Sequence, residues 1–111
     1  MAVIGFSVDR AWVKAGWAIR KVLADMLIVS PNEPRIREVL DTAIALNGLN
    51  FNFVEEPTAT HLKKILESVI AATLQDSASL GLKWKEGLDD IRQAQYKEAL
   101  QELSQMIPRG L

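Results

Sequence analysis

The chain has no cysteine, one histidine and four prolines in 111 residues. Without a thiol it forms no disulfide, runs no thiolate chemistry and builds no cysteine-ligated zinc or iron–sulfur centre. Excess charge of one sign is also missing. Thirteen Lys and Arg stand against 14 Asp and Glu, for a formal charge of −1. Nucleic-acid binders neutralise phosphates with a basic face, so this balance predicts no nucleic-acid partner. The longest apolar run, VLADMLIV at 22–29, is too short to span a bilayer and contains Asp25. The opening residues, MAVIGFSVDRAW, put no basic stretch ahead of an apolar one, unlike a secretory leader. The expectation is a cytoplasmic protein with no membrane contact. The sequence also lacks GxGxxG, GxxxxGK[ST], HExxH and GxSxG, which removes the enzyme classes that carry those motifs.

What is present is ordinary globular material. Hydrophobic residues make up 49% and charged residues 24%, and a chain of this length can enclose its own core. The expectation is a single helical domain over 1–111. Apolar residues recur every three or four positions along most of it, which predicts four helices. The first is expected from an N-cap at Asp9 to about Val29. Arg10, Lys14, Lys21 and Asp25 would share a narrow polar stripe, with Trp12, Val13, Trp17, Ile19, Val22, Leu23, Met26 and Leu27 around the rest. Such a helix is usually covered on most sides. The second follows SPNEPR, with Ser30 or Asn32 as cap, and runs to about Asn47. Ile36, Val39, Leu40, Ala43, Ile44 and Leu46 would form its inner face and Gly48 its stop. The third covers about 59–75, with Leu62, Ile65, Leu66, Val69, Ile70 and Thr73 inward and Lys64, Glu67, Ser68 and Gln75 outward. The fourth covers about 88–107, with Leu88, Ile91, Ala99, Leu100, Leu103 and Met106 inward, and Pro108 and Gly110 ending it.

Three pieces break this period. AVIGFSV at 2–8 is β-branched and aromatic, and 48–54 and 79–84 alternate apolar and polar residues. The predicted fold is therefore mainly α, a four-helix domain with one to three short extended segments, with α+β around a minimal sheet as the alternative.

Candidate chemistry is sparse. His61 follows Glu55 and Glu56, but a metal site needs three or more converging ligands. An exposed residue at a helix start is the simpler reading. Glu86, Asp89 and Asp90 resemble paired carboxylates, yet acids at a helix start also answer the macrodipole. Lys63, Lys64, Lys83 and Lys85 form clusters too short to track a phosphate backbone. No catalytic, cofactor or metal residue is predicted. Two features point to binding. Arg20 projects from the apolar side of the first helix, where a guanidinium either snorkels, pairs internally or meets a partner. In NGLNFNFVEEP, residues 47–57, Leu49, Phe51 and Phe53 alternate with Asn50 and Asn52. They would either plug the core or form an edge strand that recruits another chain.

The functional expectation is a small non-enzymatic protein–protein interaction module, an adaptor or an inhibitor/immunity-like protein. It would self-associate as a homodimer through Leu49, Phe51, Phe53 and Arg20. The alternative is a small-molecule-binding domain or motif-poor enzyme, with Trp12, Trp17, Trp84 and Arg20 lining a pocket between helices.

Overall fold

The computed structural model describes residues 2–7, 10–76 and 80–107. Within them the order is β1 (Val3–Ser7), β2 (Arg10–Val13), α1 (Gly16–Val29), α2 (Pro34–Leu46), β3 (Gly48–Asn50), a 3₁₀ turn (Phe51–Phe53), α3 (Thr58–Leu74) and α4 (Asp90–Met106). The architecture is mainly α with one three-stranded sheet, in the order β2-β1-β3. No described helix is long and apolar enough to cross a membrane.

The first predicted helix is shorter than expected. Residues 10–13 form a strand antiparallel to β1, and the helix starts at Gly16. The predicted Asp9 cap lies outside the described residues, as do Val8, Ser79, Pro108 and Gly110. The strand wins because pairing lets Trp12 face Ile4, and both are fully buried. On the other side Leu49 pairs with Ile4 in a parallel register. Trp12, Ile4 and Leu49 thus make one buried row across the sheet. Shortening α1 also dissolves the predicted polar stripe, since Lys14 no longer lies on the helix. Asp25 is buried with Ala18, Ile19, Val22, Leu23 and Met26, whereas Arg20 is exposed.

α2 starts at Pro34, whose fixed φ suits the first helical position. Its N-cap is Glu33, with no side-chain cap bond, so neither Ser30 nor Asn32 takes that role. It ends on Asn47 in the left-handed conformation (φ 54°, ψ 43°), a position the sequence reading gave to Gly48. Gly48 instead opens β3. A Cβ there would stand 3.1 Å from the Val3 carbonyl oxygen, so glycine allows β3 to approach β1 closely. Leu46 was expected inward but is 76% exposed. At 100° per residue it lies about 90° from the centre of the Ile36–Leu40–Ala43 face.

α3 follows its predicted pattern throughout, with all six inner residues buried and all four outer ones exposed. α4 buries Tyr96, Leu100 and Leu103, while Ile91, expected inward, is 70% exposed. Ile91 sits about 140° from Tyr96 around the helix. Before α4, the described part of the alternating segment read at 79–84 joins no strand: residues 80 and 84–87 are turns, and 81–83 are irregular. The alternation there still reports sidedness: Leu82 and Trp84 are buried, and Gly81 and Lys83 are exposed. Asp76 anchors this segment. It accepts hydrogen bonds from Trp84 Nε1 at 3.0 Å and Lys97 Nζ at 3.1 Å.

Candidate interaction surface

β3 is an edge strand of the sheet, and the chain leaves it abruptly. The Asn50 side chain accepts a hydrogen bond from the Asn52 amide at 2.9 Å. This local bond competes with strand continuation and starts the 3₁₀ turn. A further bond from the Val54 amide to the Phe51 carbonyl, at 3.2 Å, closes it. The turn separates residues that strict alternation would place together. Leu49 and Phe51 enter the core, at 5% and 4% exposure, and the Phe51 ring stacks on Phe6 at 5.2 Å with 8° between planes. Phe53 emerges at 85% exposure. The two readings of NGLNFNFVEEP therefore divide between its residues: Leu49 and Phe51 are core, and Phe53 belongs to the surface.

Phe53 borders a cleft of about 440 Å³ between α2 and the β3–3₁₀ segment. Val3, Val39, Leu46, Leu49 and Val54 supply its apolar lining, and Arg35 and Glu38 its polar edge. The geometry is braced by a two-pronged ion pair. Arg35 Nε meets Glu55 Oε1 at 2.6 Å and Nη2 meets Glu55 Oε2 at 2.9 Å, while Nη1 reaches Glu38 Oε1 at 2.8 Å. The guanidinium holds the Glu55 carboxyl down at about 2, chiefly by hydrogen bonding. This clamp ties the segment after Phe53 to α2. It also cancels the rim's positive charge, leaving apolar surface as the dominant feature of the cleft.

The other predicted residues lie elsewhere. Arg20 is on the exposed face of α1 and does not line this cleft. The tryptophans do not enclose a common pocket: Trp12 is fully buried in the sheet row and Trp84 is 5% exposed in the core. Trp17 borders a cleft of about 280 Å³ between α1 and α4, and Arg92 lies 5.3 Å above its ring. His61 is exposed and borders a cleft of about 370 Å³ with Pro31, Ile36 and Ile65. The neighbouring acids are engaged with other groups, Glu55 with Arg35 and Glu56 with the amide and hydroxyl of Thr60. Asp89 caps α4 by accepting from the Arg92 amide at 2.8 Å, and Asp90 sits in its first turn. Among the described residues no group of three or more metal-ligating side chains converges.

Two contributors to the surface escaped the sequence reading. The spacing on α2 predicts Leu46 inward, but its angular offset from Ile36, Leu40 and Ala43 sets it at the edge of that face. The Arg35–Glu55 clamp spans 20 positions and has no local signal. Comparison with known protein families, with curated proteins and with solved structures finds no match to this chain.

Proposed function

We propose that this chain is a small non-enzymatic interaction protein whose α2–β3 surface binds protein, and that its occupant is a second copy of the chain. One observation carries the reading. Leu46 and Phe53, at 76% and 85% exposure, flank the same apolar cleft beside an edge strand. Clustered exposed apolar side chains mark association sites far more than scattered ones do. The surface combines a protruding ring with an apolar cleft, the self-complementary arrangement that a twofold interface requires. Its rim charges are hydrogen-bonded to one another within the chain, Arg35 to both Glu55 and Glu38, for a net charge of −1.

The energetics favour a weak dimer. Burying four large apolar side chains across a twofold axis contributes roughly 6–12 kcal/mol. Association costs about 4–15 kcal/mol in lost freedom. The three-residue β3 edge offers few backbone groups, so strand pairing adds register more than affinity. An adaptor or inhibitor/immunity-like role in the cytosol belongs to the same proposal, and a cysteine-free chain suits that reducing setting. The test is solution mass against concentration for the wild type and Phe53→Asp. A wild type that dimerises, with a folded monomeric variant, supports the proposal. Equal masses for the two chains at all concentrations overturn it.

A further inference from the structure

Four elements each bring one buried polar atom without a hydrogen-bond partner into the interior: Trp12 Nε1 from β2, Asp25 Oδ2 from α1, Thr73 Oγ1 from α3 and the Tyr96 hydroxyl from α4. A buried polar group without a partner is costly, and a buried charge without one is costlier still. Asp25 is the member that can change its charge at modest pH. It is 2% exposed, amid the apolar face of α1. Tyr96 is fully buried and held between aromatic rings, 6.1 Å from Trp17 and 6.0 Å from Trp84. As a neutral acid, Asp25 carries a hydroxyl proton it can donate. As a carboxylate it can only accept, and it places a full charge among apolar side chains.

We propose that Asp25 is a pH-sensitive switch on the seating of α4: the neutral acid is compatible with the closed core, and its ionisation loosens α4 from α1 and α3. α4 is the element to move. It packs on α3 and β2 and meets α1 through the Trp17–Tyr96 ring contact, and it follows the turn-rich segment 80–88, whose backbone lies outside helix and strand.

The charged and titratable groups around Asp25 fix the direction. Burial raises its pKa above the ordinary 3.8, and Lys21, one turn earlier on α1, opposes this only in part. From α4, Tyr96 is the titratable group that senses it: burial first and the Asp25 charge second push the phenol far above its usual range, so Tyr96 stays neutral throughout. The buried polar groups of α3 and β2, Thr73 and Trp12, do not titrate in water. A folded-state pKa above the unfolded value means that the closed form binds the proton more tightly. The stabilisation is complete below about pH 3.8 and is lost as pH rises through the raised midpoint. Each pH unit between the two pKa values corresponds to a tenfold change in the opening equilibrium.

The test combines a carbon NMR titration of the Asp25 carboxyl in the wild type with amide hydrogen exchange of α4, corrected for intrinsic rates, in the wild type and Asp25→Asn. The expected result is a midpoint above the ordinary aspartate value, α4 protection that falls over the same pH range, and a loss of that dependence in Asp25→Asn. An ordinary midpoint overturns the proposal, as does the same pH dependence in both chains. Should Asp25→Asn fail to fold, the wild-type data decide: coincidence of the carboxyl titration with the loss of α4 protection supports the switch, and its absence refutes it.

Discussion

Truncating Phe51 to alanine removes a ring stacked on Phe6 and buried to 4% exposure. The expected loss is about 3–5 kcal/mol, read from urea unfolding. Phe53, two residues on, is 85% exposed, and Phe53→Asp is expected to shift monomer stability by about 0.5 kcal/mol or less in the same measurement. Comparable losses from both substitutions would contradict the assignment of one ring to the core and the other to the surface. Glu55 makes a different kind of contribution. Its pKa is lowered to about 2 by Arg35, so what it adds to stability is present above about pH 4.5 and is lost as pH falls toward 2. Thermal melts of wild type and Glu55→Gln should differ at neutral pH and converge near pH 2. High salt should shrink the difference, because the pair is exposed. A gap that persists in acid would contradict the clamp.

Elements with sustained helical spacing were legible in the sequence, because periodicity and burial are linked by local geometry. α3 is the clearest case, with Leu62, Ile65, Leu66, Val69, Ile70 and Thr73 all buried. The start of α4 also has a local cause, the Asp89 cap. Asp89→Ala is expected to cost about 1 kcal/mol, visible as a melting temperature lower by about 4–8 °C. An unchanged melting temperature would remove the cap from the account. β2 was not legible, because RAWV forms a strand only by pairing with β1, a tertiary event that overrides local pattern. Residues 80–84 mislead in the opposite way. Leu82 and Trp84 alternate in burial without strand pairing, and Gly81, at φ 70°, takes a conformation no strand uses. Alternation reports which side a residue faces; hydrogen bonding is a separate matter. The same distinction governs the candidate surface. Leu49 and Phe51 follow their pattern inward until the Asn50 side chain redirects the backbone and leaves Phe53 outside.

At the scale of the molecule, a core drawn from all four helices and the sheet is joined to one cleft with Leu46 and Phe53 exposed on its rim. The proposed cover for this rim is a second copy of the chain. Light scattering of the wild type, from micromolar to millimolar concentration, tests it most directly. The wild-type mass should rise from that of one chain, 12.3 kDa, toward twice that value, with Phe53→Asp remaining at the lower value while keeping its helical circular dichroism. A wild type that stays at one-chain mass across the whole range would contradict it.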